Sequence, residues 1–248
     1  ALPAKYEAIQ VDWVCVTDAA LVDAYAPLAA HRESQGLATL VLSLDEVIRW
    51  SPYGHDTVET LRWLAGIAAD QWGADFLVLG GSHATLPAPP YRTLYGASHA
   101  DHPTDAYYSC LGGDWDLDGD GLFAEWEDDL ADLTVLLSVG RLPADSLIET
   151  EAMVAKILAF EDRSTDETGA LLLVSSDMYQ TASPHPYPGP FLDYVVELRD
   201  RALAIDPDLH AGLLLEGPGV VAPEDDPLNR VALTDSLRAR PHDLVFLQ

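Results

Sequence analysis

Between residues 10 and 81 this chain alternates three strand-like runs with helical ones, and that order leaves few folds open. "QVDWVCVT" (10–17), "ATLVLSL" (38–44) and "DFLVLGG" (75–81) are short, β-branched or aromatic, and almost free of charge. Runs of that kind suit strands covered on both faces. Between the first two, Leu21, Ala24, Tyr25, Leu28 and Ala29 recur at steps of three and four, as on one helical face. Gly36 follows as a C′ stop. Ser43 with Glu46, and Asp56 with Glu59, have the spacing of capping boxes for two further helices, the second running to about Trp72 before Gly73. A β-α-β-α-β order calls for parallel strands joined by right-handed crossovers.

The pattern repeats after a polar stretch, "DRSTDETG" (162–169). A strand "ALLLVSS", a helix over 191–204, a strand "AGLLLE", a helix over 229–239 and a strand "DLVFLQ" follow. The fold class is therefore α/β: two subdomains with mainly parallel sheets flanked by helices. The first is expected over 1–165 and the second over 166–248. The apolar runs 75–80, 135–139, 170–174 and 243–247 are expected to be buried strands. Residues 81–106, rich in Pro, Gly, His and Tyr, read as a long irregular connection. "DAYYSCLGG" reads as strand and then turn, and a third capping box, Ser146 with Glu149, opens a helix after "GRLP".

"DLDGDGLFAEWE" (116–127) carries the clearest chemistry. Asp116, Asp118 and Asp120 alternate, Gly121 permits a sharp turn, Leu122 offers a backbone carbonyl at the seventh position, and Glu127 stands at the twelfth. Calcium takes six to eight hard oxygens, and this spacing supplies most of them from one segment. Asp114, Asp128, Asp129 and Asp132 lie close enough to replace Glu127 if the turn runs differently. The flanks are strand-like, not the paired helices of an EF-hand.

Acids outnumber bases 41 to 13, for a net charge of −28. That argues against nucleic acid and anionic membrane surfaces as partners. The imbalance fits a salt-rich habitat or a secreted calcium protein equally well. No apolar run reaches 18 residues, so no membrane span is expected. Cys15 lies inside a central strand and Cys110 follows the Tyr pair; both read as inert buried thiols. His99 and His102 have metal-like spacing but no third ligand nearby, which favours a surface loop. "VLGGSH" falls short of a dinucleotide fingerprint, and "DWDLDGD" lacks the apolar strand that a phosphatase Asp pair would end.

Four blocks carry a resemblance: "PLAAHRESQGLATLVLSLDEV" (27–47), "ETLRWLAGIAADQWGADFLVLGGS" (59–82), "TDAYYSCLGGDWDLDGDG" (104–121) and "SVGRLPADSLIETEAMVAKILAFE" (138–161). In this order, with a calcium-type loop between the D-x-Y-Y strand and the V-G-R-L-P turn, the chain resembles the gingipain-type cysteine peptidases, relatives of the caspases. The resemblance implies stacked α/β subdomains, secretion or a cell-surface location, calcium for stability, a protein or peptide substrate, and a Cys/His dyad. The family's His lies in a Gly-His-Gly turn after the strand that "DLVFLQ" resembles, and its Cys ends the next strand. No His here has that context, so no catalytic residue is carried over and residues 1–248 alone are expected to be inactive. Arginine-cleaving members place an acid at the pocket base; Asp177 and Asp193 fall in the matching region, although a loop residue and a first-turn helix acid are their ordinary readings. The alternative function is a non-catalytic calcium-binding module of the same fold, used for protein binding or surface assembly.

Overall fold

Trp13–Thr17 (β1) is buried along its whole length, as its unbroken apolar sequence predicts. The computed structural model describes residues 2–95, 98–125, 128–162, 170–176, 191–216, 226–227, 235 and 244–247. They divide into two units, Ala1–Asp162 and Arg163–Gln248. In the first, β1 is followed by α1 (Val22–Ser34), β2 (Thr39–Ser43), α2 (Leu44–Trp50), α3 (Thr57–Ile67) and β3 (Phe76–Gly80). Next come β4 (Pro90–Tyr95), β5 (Ser98–Pro103), α4 (Ala106–Ser109), β6 (Gly113–Asp114), β7 (Leu130–Ala131), β8 (Ser138–Leu142) and α5 (Leu147–Glu161). The main sheet has the order β2-β1-β3-β8 and every pairing in it is parallel.

Side chains alternate across β1 and so feed two cores. Trp13 and Cys15 pack with Leu21, Tyr25, Leu28 and Val154, against α1 and α5. Val14 and Val16 pack with Val47, Leu61, Leu64 and Trp72 on the opposite face. Leu61 and Leu64 of α3 are fully buried. Each contributes about 1.5–3 kcal/mol relative to exposure.

All three N-cap side chains accept as spaced, but only the Ser43 box is reciprocal. Ser43 Oγ accepts the Glu46 N–H at 3.3 Å while Glu46 Oε2 accepts the Ser43 N–H at 3.3 Å. Asp56 Oδ1 accepts the Glu59 N–H at 3.2 Å, and Ser146 Oγ accepts that of Glu149 at 3.4 Å. The Asp56 cap is one-way, because the Glu59 carboxylate accepts the Tyr107 hydroxyl at 2.5 Å instead. After α3 a π-type turn, Ala68–Trp72, ends at Gly73 with φ of +72°, the left-handed stop that a glycine adopts without strain.

Gly80, at the end of β3, has no room for a side chain. A Cβ there would lie 2.6 Å from Tyr25 Cζ, inside the fully buried ring. Gly80→Ala is expected to cost about 1–3 kcal/mol through overpacking, read as a lower urea midpoint at unchanged slope. A change under about 0.5 kcal/mol would mean that this core yields more than its packing implies.

In the second unit β9 (Ala170–Ser176), α6 (Phe191–Ile205), β10 (His210–Glu216), β11 (Asp226–Pro227) and β12 (Leu244–Leu247) build a parallel sheet of order β11-β10-β9-β12. Leu171 and Leu173, two apart and so on one face of β9, pack with Val195 of α6 and Leu213 of β10. The helix expected over 229–239 falls, apart from residue 235, outside the described residues.

Three expectations need correction. Ala106–Ser109 is a helical turn, not a strand. The Tyr108 N–H bonds the Asp105 carbonyl at 3.0 Å and the Cys110 N–H the Ala106 carbonyl at 2.8 Å, so the backbone closes locally and has no strand partner to seek. Residues 81–106 are not wholly irregular, since β4 and β5 pair as an antiparallel hairpin that includes His99 and His102. The apolar run 135–139 is not a buried strand: the strand is Ser138–Leu142, and Val135 and Leu136 are 62% and 56% exposed. Its register is fixed from both sides, by the Ser138 N–H on the Asp75 carbonyl and by the Leu136 N–H on the Ser109 carbonyl.

Candidate metal centre

The acidic loop is closed at its base by β6 and β7, where Gly113 pairs with Ala131 and Asp114 with Leu130. Inside it the short carboxylates organise the backbone. Asp116 Oδ1 accepts the Gly121 N–H at 3.1 Å, Asp118 Oδ1 that of Asp120 at 3.2 Å, and Asp120 Oδ1 that of Leu122 at 2.8 Å. Gly121 has φ of +84°, a conformation that strains residues with a Cβ. These turns bring ligand oxygens of Asp116, Asp118 and Asp120 within 4.8 Å of one another. Three close carboxylates repel one another, and a divalent cation relieves that repulsion. A set of hard oxygens suits calcium over softer metals.

Leu122, the seventh position, has its N–H on Asp120 and would offer its carbonyl. Glu127 lies outside the described residues. Among the acids weighed in its place, Asp129 already holds the loop together: Oδ1 accepts the Leu117 N–H at 2.7 Å and Oδ2 the Glu125 N–H at 2.8 Å. Asp132 Oδ1 accepts the Thr134 N–H at 2.9 Å, and hydrogen bonds from the Thr134 side chain and then its backbone hold the Asp132 carboxyl below the usual range. Asp114 Oδ1 accepts the Asp116 N–H at 3.3 Å.

The loop stands on an aromatic platform that sequence reasoning missed. Trp115 precedes the first carboxylate and Phe123 follows the Leu122 carbonyl. Both meet the Tyr107 ring edge-on, at 5.4 Å and 5.2 Å between centroids. The Arg62 guanidinium lies 4.1 Å over the same ring and donates to the carbonyls of Tyr107, Cys110 and Leu111. Arg62 thereby satisfies the carbonyls at the end of α4, where helix geometry leaves orphan acceptors. Burial, followed by the bond to Glu59, pushes the Tyr107 hydroxyl pKa up. The i, i+3 spacing of Glu59 and Arg62 on α3 was the available signal, but nothing local says what they meet 45 or more residues away.

Neither cysteine is placed for attack. Cys15 is wholly buried in β1, and burial pushes its thiol pKa up, away from the reactive thiolate. Cys110 is buried and its Sγ contacts the Leu133 carbonyl at 3.4 Å. Asp193 falls in the first turn of α6, and Asp177 lies outside the described residues.

Comparisons place the chain among known proteins. It is similar to the solved complex of Porphyromonas gingivalis RgpB pro- and mature domains, with a TM-score of 0.58 at 9% identity, over 84% of this chain and 42% of that one. At that identity the likeness bears on the fold, which it shares. Weaker likenesses are to dimeric latent PorU from Porphyromonas gingivalis (TM-score 0.45, 20% identity, 61% of this chain and 16% of that one) and to a structure described as a protease (TM-score 0.45, 18% identity, 68% and 33%). A search of curated proteins gives no significant match. The chain thus spans less than half the length of the RgpB structure. The profile of peptidase family C25 matches residues 6–211, and the chain belongs to that family, the gingipain-type cysteine peptidases.

Proposed function

We propose that this chain is part of a secreted or cell-surface, calcium-stabilised cysteine endopeptidase of gingipain type. The observation that carries the peptidase reading is the family match over residues 6–211. The calcium reading is supported by the convergence of Asp116, Asp118 and Asp120. In it, those carboxylates and the Leu122 carbonyl hold the ion, and Glu127 closes the shell. The ion's contribution is to neutralise the loop and pin it to the platform, and it takes no part in bond cleavage. Peptide hydrolysis belongs to a Cys/His dyad outside residues 1–248, since both thiols here are sealed in the core. Asp177 or Asp193 would supply the acid for a basic side chain of a protein or peptide substrate.

The test is direct. Residues 1–248 with calcium and reductant are expected to cleave no peptide and to resist a peptidyl thiol-reactive probe at Cys15 and Cys110. A longer form carrying the family's Gly-His-Gly turn and strand-end Cys is expected to gain both properties, because nucleophilic catalysis needs a thiol beside a base. Active-site-directed labelling of either Cys in the short chain would overturn the assignment. An inert long form would favour the non-catalytic binding module.

A further inference from the structure

The segment after the metal loop is apolar and on the outside. Leu130 and Leu133 are each 67% exposed, and Val135 and Leu136, further along the chain, are exposed too. Leu130 and Leu133 line a cleft of about 550 Å³ together with Tyr91, Trp115 and Ala124, and Glu125 and Asp129 also face it. Among the described residues this apolar surface is uncovered, and exposed apolar ridges beside a cleft mark interaction sites. Its electrostatic setting selects the partner. Between Arg92 and Arg141 the sequence holds nine Asp and two Glu and not one Lys or Arg. One divalent cation in the loop would offset only two of those charges.

We propose that this cleft is a docking surface for a basic, apolar segment of another protein, with aliphatic side chains seated along Leu130 and Leu133 and Arg or Lys facing Glu125 and Asp129. A second copy of this chain would bring a net charge of −28 against the same acidic region, which opposes self-association. An anionic membrane is repelled for the same reason. Charge complementarity would steer the partner and set its orientation, while the apolar contact supplies the affinity.

The probe is a fluorescein-labelled peptide of alternating Leu and Arg, followed by anisotropy against residues 1–248 in calcium buffer at low salt. Saturable binding is expected, weakened about tenfold or more when Leu is replaced by Ser or Arg by Glu in the peptide. Raising the salt should weaken it too, because exposed charges are screened. The double variant Leu130→Asp, Leu133→Asp should lose about tenfold in affinity with unchanged tryptophan-monitored stability. Leu133→Asp alone serves if the double variant is less stable. The proposal is overturned if the Ser/Arg peptide binds as well as the Leu/Arg peptide, if the variants bind undiminished, or if no peptide saturates. Concentration-dependent dimerisation in sedimentation equilibrium, abolished by Leu133→Asp, would replace the partner with a second copy.

Discussion

Chelating calcium is expected to lower the unfolding midpoint of the first unit by about 5–10 °C. Binding to the native loop alone adds about 2.7 kcal/mol at a hundredfold excess over Kd. For a unit of this size each kcal/mol moves the midpoint by about 2–4 °C. The measurement can be confined to the right part of the chain. All six tryptophans, from Trp13 to Trp126, precede Asp162, so tryptophan fluorescence follows the first unit and not the second. Trp115 adds a local signal, since it directly precedes Asp116 and packs on Tyr107.

Asp118→Asn separates metal binding from loop folding by the sign of its effect. The amide oxygen can still accept the Asp120 N–H, so the turn survives. Without calcium, removing one of three crowded negative charges should stabilise, by up to about 1 kcal/mol for charges this close in water. With calcium, the same change removes a charged ligand and should cancel most of the metal-dependent gain. A variant that is less stable under both conditions would show that Asp118 serves the turn alone. A wild-type midpoint indifferent to chelator would remove calcium from the account.

What the sequence made legible follows from where the physics is local. β1 and β3 could be read because burial on both faces demands unbroken apolar runs. The Ser43–Glu46 box and the stop at Gly73 could be read because each is settled within a few residues. The convergence of Asp116, Asp118 and Asp120 was legible for the same reason: the three carboxylates are set by turns inside one short segment. The misreadings come where a distant partner decides. Tyr107 and Tyr108 look like strand residues until their hydroxyls find Glu59 and the Pro87 carbonyl, 48 and 21 residues away. Val135 and Leu136 look like core until the pairing with β3 starts three residues later. The same holds for Arg62, whose acceptors lie beyond the reach of any local pattern.

Arg141 is a position where one substitution outside the apolar core should cost the first unit heavily. It lies in β8, inside the "VGRLP" stretch, and its side chain is 9% exposed. Nε donates to Asp105 Oδ2 at 2.8 Å and Nη2 to Asp105 Oδ1 at 2.6 Å, a forked pair. Nη1 donates to the carbonyls of Gly81 and Leu86, each at 2.8 Å. One guanidinium therefore ties the edge strand to the residue before α4 and to the chain leaving β3. Arg141→Ala would strand two carbonyls and a half-buried carboxylate. Breaking a buried pair costs about 3–5 kcal/mol, and the 26% exposure of Asp105 puts the expectation near the lower end, about 3 kcal/mol. Arg141→Lys keeps the charge but not the fork, so it should recover only part of that loss. The readout is the urea midpoint by tryptophan fluorescence, with Asp105→Ala and the double variant completing a cycle. If the fork carries the effect, Asp105→Ala should cost little once Arg141 is gone, because the charge it leaves unpaired is no longer there. Additive losses in the cycle would mean that Arg141 acts through the two carbonyls alone. A loss under about 1 kcal/mol for Arg141→Ala would mean that β8 is held by its pairing with β3 and by α5, not by this side chain.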